Sequence, residues 1–206
     1  MSEIKKLIAS VDYQGLRDLL SSHPSLANAG IPYDDKNPTL AHPLHRICDG
    51  VFNETYSDEQ GVELAKIFLD HGANIDGLGF LAANNEQRTT SLIEKKDTPL
   101  ITAASLTADK VCILYLERGA NISHAGTHGG TALHWAAWTG RDTLVEKLIK
   151  AGADIHKKCI DFKNTPLQWA AHGYKFDGGR TRHHQIECIR LLVAAGAENT
   201  SDLPLS

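Results

Sequence analysis

Apolar residues recur along this chain at spacings of three and four, in short runs interrupted by glycine, proline or a polar pair. Ile4, Leu7, Ile8 and Val11 form one such stripe and Leu16, Leu19 and Leu20 another, with Asp12 and Gly15 marking a turn between them. The clearest stretch runs from Gly130 to Gly140 and is followed by Leu144, Val145, Leu148 and Ile149, then by Ala151-Gly152-Ala153-Asp154. Thr131 is placed to cap a helix and Gly140 to end it. Gly152 is placed to end a second helix that starts near Asp142, because glycine tolerates the left-handed exit that closes many helices. The pattern predicts helix, turn, helix, loop.

That unit recurs. The proline or alanine that opens its first helix falls at Pro43, Pro99, Ala132 and Pro166, separated by 56, 33 and 34 residues. The Gly-Ala after the second helix falls at Gly72, Gly119, Gly152 and Gly196, separated by 47, 33 and 44. Two independent markers thus share a period near 33 with insertions, the signature of a repeat architecture. The expected units are residues 2–30, 38–76, 97–123, 130–156 and 164–200, with insertions at about 50–60, 77–96 and 173–184. The first unit is divergent, and its charged outer positions Glu3, Lys5, Lys6, Arg17 and Asp18 suit an end repeat facing water. One unit alone has too little apolar area to offset the entropy of ordering its backbone, so the units must stack. Ala136, Ala137, Ala170 and Ala171 would let neighbouring first helices approach closely.

Thr131-Ala132-Leu133-His134-x-Ala136-Ala137 and Thr165-Pro166-Leu167-Gln168-x-Ala170-Ala171 resemble the Thr-Pro-Leu-His-x-Ala-Ala signature of ankyrin repeats. Gly-Ala-Asn/Asp-Ile at 72–75, 119–122 and 152–155 resembles the end of the same unit. In the third unit Ile101 stands where the signature has histidine. The resemblance implies an all-α ankyrin-repeat solenoid of about five helix-turn-helix units with hairpin-like loops between repeats, a single domain over 1–206. It also implies a hydrogen-bonding role for His45 and His134 between loop and helix. The positions that face partners in that family are, in this chain, Arg46 and Asp49, Thr102 and Ser105, Trp135 and Trp138, and Trp169 and His172. All three tryptophans fall in this set. Tryptophan is a strong interface anchor, offering a large apolar area, few torsions to freeze and one N–H donor.

Composition narrows the picture without redirecting it. An apolar share of 42% and a charged share of 22% are ordinary for a globular chain. A formal charge of −4, with no dense basic run, argues against binding driven by nucleic-acid phosphates. No window approaches a membrane span, and Cys48, Cys112, Cys159 and Cys188 form no Cys-x-x-Cys pair. A reducing, cytoplasmic setting and a monomer without cofactor are expected. No nucleophile–base or phosphate-loop pattern occurs, so the expectation is a non-enzymatic module that binds another protein. An alternative uses the insertion carrying Lys175, Arg180, Arg182, His183 and His184. There His172, His183, His184 and Cys188 would hold a metal or small ligand, or the basic residues would meet an acidic partner.

Overall fold

The computed structural model describes residues 2–33, 40–77, 97–176 and 182–198, and it divides into two compact units, Met1–Ala120 and Asn121–Ser206. In the first unit, α1 (Glu3–Ala9) pairs with α2 (Tyr13–Ser22), and a 3-10 turn (Pro24–Asn28) follows. A two-residue antiparallel bridge then sets β1 (Ile31–Pro32) against β2 (Leu40–Ala41). The helix pairs α3 (Pro43–Phe52) with α4 (Asp58–Asp70), and α5 (Pro99–Ser105) with α6 (Asp109–Glu117), follow among its described residues. The second unit holds a 3-10 turn (Thr127–Gly129), α7 (Ala132–Trp138) with α8 (Asp142–Lys150), and α9 (Pro166–Phe176) with α10 (Arg182–Ala194). The fold is all-α. Most of the expected insertion at 77–96, together with residues 177–181 of the one at 173–184, lies outside the described residues.

The first helices of the later repeats start on side-chain caps. Thr98 accepts from the Ile101 N–H at 3.5 Å, and Thr165 accepts from the Gln168 N–H at 3.4 Å while Gln168 Oε1 accepts from the Thr165 N–H at 2.9 Å. Such reciprocal pairs satisfy donors that an α-helix leaves open at its start. The second helices from α4 onward end alike. Gly72, Gly119, Gly152 and Gly196 have φ of +83°, +83°, +89° and +102°, and the alanine after each donates its N–H to a carbonyl five residues back, at 2.9 to 3.0 Å. This is the closure a left-handed residue at the helix end permits.

The residues inserted between Pro43 and Gly72 mainly lengthen helices rather than widen a loop. Here α3 has 10 residues and α4 has 13, against 7 in α7 and 9 in α8. Tyr56 pins the short turn between them: its ring is buried, its hydroxyl donates to the Ile47 carbonyl at 3.2 Å, and it fills the space where Gly50 lacks a side chain.

The cores are aliphatic. In the first unit Leu44, Ile47, Leu64, Phe68, Leu100 and Tyr115 are fully enclosed, and the Tyr115 hydroxyl donates to the Leu44 carbonyl at 2.9 Å, tying α6 to α3. In the second, Leu133, Leu144 and Leu148 are likewise enclosed, and the small residues Ala136, Ala137 and Ala170 are at 0% exposure. Gly173 shows how closely α9 approaches α7. A methyl group there would lie 2.3 Å from the Trp138 carbonyl oxygen, a backbone atom that cannot swing away.

Two effects therefore oppose each other at Gly173. Alanine favours a helix interior by about 0.5–1 kcal/mol, but overpacking against a fixed backbone costs about 1–3 kcal/mol. Sterics should win: Gly173→Ala is expected to lower the urea midpoint by an amount equivalent to roughly 1–2 kcal/mol. A raised midpoint would show that α7 and α9 are not in that contact.

Candidate functional site

Residues three apart on a helix share a face, so Trp135 and Trp138 stand together on α7, and Trp169 and His172 stand together on α9. Because the two helices approach closely at Gly173, the large residues beside that contact meet. The Trp135 and Trp169 rings are 5.2 Å apart at 81°, and Trp138 and Trp169 are 6.1 Å apart at 73°. Trp169, at 6% exposure, is the floor, with two half-buried indoles beside it. Perpendicular arrangements of this kind place ring edges on ring faces, the favoured geometry for aromatic quadrupoles.

The row of rings continues in both directions. On one side Trp138 stacks on His172 at 4.9 Å and 24°, and His172 meets Phe176 at 4.4 Å. On the other, Trp135 meets His128 at 6.5 Å and His128 meets Phe162 at 5.5 Å. The two end residues are largely in solvent, Phe162 at 58% and Phe176 at 60%. Over the middle of the row lies an open groove of about 310 Å³, lined almost wholly by these rings together with Asn164.

The far wall depends on backbone geometry. His128 has φ of +60° and Gly129 has φ of +69°, and the position where Gly129 lacks a side chain is taken by Ile160. The His128 carbonyl accepts from the Ile160 N–H at 3.0 Å, and its Nδ1 lies 2.9 Å from an Asp161 carboxylate oxygen. Phe162 is thereby held beside His128. The Trp135 Nε1 is enclosed close to Gly130 and has no hydrogen-bond partner. Gln185 of α10 donates to the Trp138 carbonyl at 3.1 Å, bracing the end of α7.

The remaining partner-face residues lie in the first unit and are engaged locally. Arg46 forms an ion pair with Asp49 at 2.6 Å, donates to the Ile31 carbonyl at 3.0 Å, and sits 5.2 Å from the Tyr33 ring centre. The Thr102 hydroxyl bonds His45 Nδ1 at 2.8 Å, and the Ser105 hydroxyl donates to the Thr102 carbonyl at 3.0 Å. Of the residues considered for a metal, the described side chains of His172, His184 and Cys188 are each engaged elsewhere or buried. His172 stacks on Trp138, His184 Nδ1 lies 3.3 Å from an Asp142 carboxylate oxygen, and Cys188 is buried with its thiol pushed up by burial. No group of three or more His, Cys, Asp or Glu is poised to hold an ion among the described residues, which exclude the side chains of Arg182 and His183 and the whole of Arg180.

Three buried histidines are structural. His134 Nδ1 accepts from the Thr131 N–H at 3.1 Å, so its Nε2 carries the proton it donates to the Asn164 carbonyl at 3.2 Å. His45 donates from Nε2 to the Gly77 carbonyl at 2.9 Å. His42, in the place threonine takes elsewhere, accepts at Nδ1 from the Leu44 N–H at 3.3 Å and bonds Asn28 Oδ1 at 3.0 Å through Nε2. Burial lowers all three below the ordinary imidazole range, His42 and His134 to about 4. Position counting from the repeat did not single out His42, His128, Phe162, Asn164 or Phe176 as site residues. His128, Phe162 and Asn164 sit in turns, where a helical period carries no information; the one available signal was an aromatic residue in a polar loop.

A family model for ankyrin repeats, in three copies, matches residues 55–159. Among known proteins, the chain is 26% identical over 114 residues to the palmitoyltransferase ZDHHC17 of Danio rerio, covering 55% of this chain and 17% of that one. It is 29% identical over 83 residues to the palmitoyltransferase Hip14 of Drosophila melanogaster, covering 40% of this chain and 12% of that one. The chain thus spans less than a fifth of either relative's length.

The lowered histidines make stability depend on pH with a definite sign. Between about pH 6.5 and 4 the unfolded chain binds protons that the folded chain refuses, so stability falls as pH falls through that window and is full above it. At pH 5, His42 and His134 should each cost on the order of 1–2 kcal/mol relative to pH 7, read as a drop in thermal midpoint. His134→Gln is expected to keep the cap, as Gln168 does in the next repeat, and to reduce the acid sensitivity of the second unit. An unchanged midpoint from pH 7 to 5 would contradict the buried neutral tautomers.

Proposed function

We infer the function from one premise: the chain belongs to the ankyrin-repeat family, and it is accordingly a protein-interaction module. The partner's contact segment, in this reading, lies along the aromatic groove of the second unit, over Trp135, Trp138 and His172, with Trp169 as floor and Phe162 and Phe176 as rims. One observation carries the proposal. Seven rings run in unbroken succession from one exposed phenylalanine to another, across an open groove. Water is a poor neighbour for such a surface, and contiguous apolar patches of this kind on a folded protein mark contact sites. The rings hold one another in place, so binding freezes few torsions, which is where affinity is usually lost.

Arg46, Asp49, Thr102 and Ser105 contribute less in this reading, because each is already engaged within its own unit. A catalytic role is not part of it. The buried imidazoles serve as caps and loop ties, and the activity in the relatives' names belongs to chains of which this one spans 17% and 12%. Four free cysteines, all buried, suit the reducing cytoplasm that we assign to it.

Trp169 is too deeply placed to be a clean probe, since truncating a buried aromatic costs about 3–5 kcal/mol. Trp138→Ala combined with Phe162→Ala addresses the solvent side of the groove. In affinity capture from the native host, this variant should recover at least tenfold less of the partner that the unaltered chain retains, while its helical circular dichroism at the assay temperature is unchanged. Equal capture by the folded variant would reject the assignment.

A further inference from the structure

We propose that the aromatic groove receives an arginine side chain from a basic, extended segment of the partner protein, its guanidinium lying over the indole faces and toward Asp161. This rests on the reading of the groove as the partner site and adds the chemistry of what enters it. The face of an aromatic ring carries negative quadrupolar density, so a wall of rings is attractive to a cation even without a fixed charge. Guanidinium is the better match because it is planar, weakly hydrated, and can stack on a ring while donating to a carboxylate.

The chain itself contains both halves of that arrangement. In the first unit the Arg46 guanidinium lies 5.2 Å from the Tyr33 ring centre and pairs with Asp49 at 2.6 Å. In the second, the Lys175 ammonium lies 5.5 Å from the Phe176 ring centre, at the exposed end of the ring row. The middle of the groove has the same ingredients without the cation. It presents indole and phenyl walls, and no lysine or arginine is among the described residues that line it. The carboxylate of Asp161 lies against its wall residue His128 at 2.9 Å, with 46% of its side chain exposed.

A polar wall would need matched donors and acceptors to recognise a neutral polar group. This groove has few, apart from Asn164 and the two imidazoles. It can discriminate charge instead. The comparison that isolates charge from shape is arginine against citrulline, which keeps the planar end group and loses the cation.

The chain has only three tryptophans and all three border the groove, so tryptophan emission, excited at the red edge where tyrosine does not absorb, reports on this site. The probes are blocked peptides GSGXGSG in which X is arginine, lysine, citrulline or norleucine, titrated into the full chain. The arginine peptide is expected to bind at least tenfold more tightly than the citrulline peptide and more tightly than the lysine peptide. Its binding should weaken severalfold in 0.5 M salt and with Asp161→Asn, and disappear with Trp138→Ala. Citrulline or norleucine binding as tightly, lysine binding more tightly, or no probe binding at millimolar concentration would each overturn the proposal. Any of these, combined with loss of partner capture in the Trp138→Ala, Phe162→Ala variant, leaves the groove as the partner site and removes only the arginine. Retained capture removes both.

Discussion

Everything distinctive about the second unit follows from how closely α7 and α9 approach each other. Helices separated by leucines would stand well apart, but here Gly173 of α9 leaves no room for even a methyl group beside the Trp138 carbonyl of α7, and Ala136, Ala137 and Ala170 are wholly buried. Close approach is a purely repulsive constraint, set by what is absent from the side chains. It nevertheless decides where the largest side chains go. Trp135, Trp138, Trp169 and His172 are excluded from the tight seam, and the same short separation brings them into ring-to-ring contact alongside it. The aromatic face is a by-product of the seam.

Polar groups hold the loops to that frame. Each repeat connection must cross from the end of one helix to the start of another without burying bare backbone groups. His134 does this by accepting from Thr131 and donating to Asn164 in one neutral tautomer, and His45 does it by joining Gly77 to Thr102. These imidazoles are committed to donor and acceptor roles that protonation would spoil. That explains why these two histidines contribute to the scaffold. The cysteines are similarly inert, Cys48, Cys112 and Cys188 being buried with thiols pushed up by burial.

Much of the scaffold was legible in the sequence. The Gly-Ala that ends the second helices from α4 onward is a backbone requirement, because residues such as Gly119 and Gly152 take up positive φ, and such requirements leave a residue-specific trace. The convergence of Trp135, Trp138, Trp169 and His172 also followed from counting along helices. Other features were not legible for physical reasons. The extra residues after Pro43 extend α3 and α4, since Phe52 and Asp58 continue helices that length arithmetic alone would leave as loop. Phe162 and His128 reach the groove through turns whose path depends on the fit of Ile160 against Gly129 and on a left-handed His128, neither of which has a period. The depth of Trp169 depends on the tilt of one ring against two others, a tertiary quantity that helical position does not contain.

The central claim is that the groove beside the α7–α9 seam is where another protein sits. The three indole N–H resonances of the uniformly labelled chain test it most directly, followed as the captured partner is added to saturation. The account predicts that the Trp138 and Trp135 signals move or broaden at stoichiometric partner, with Trp169 following through its contact with both. A partner that saturates the chain while all three indole signals stay in place would contradict it.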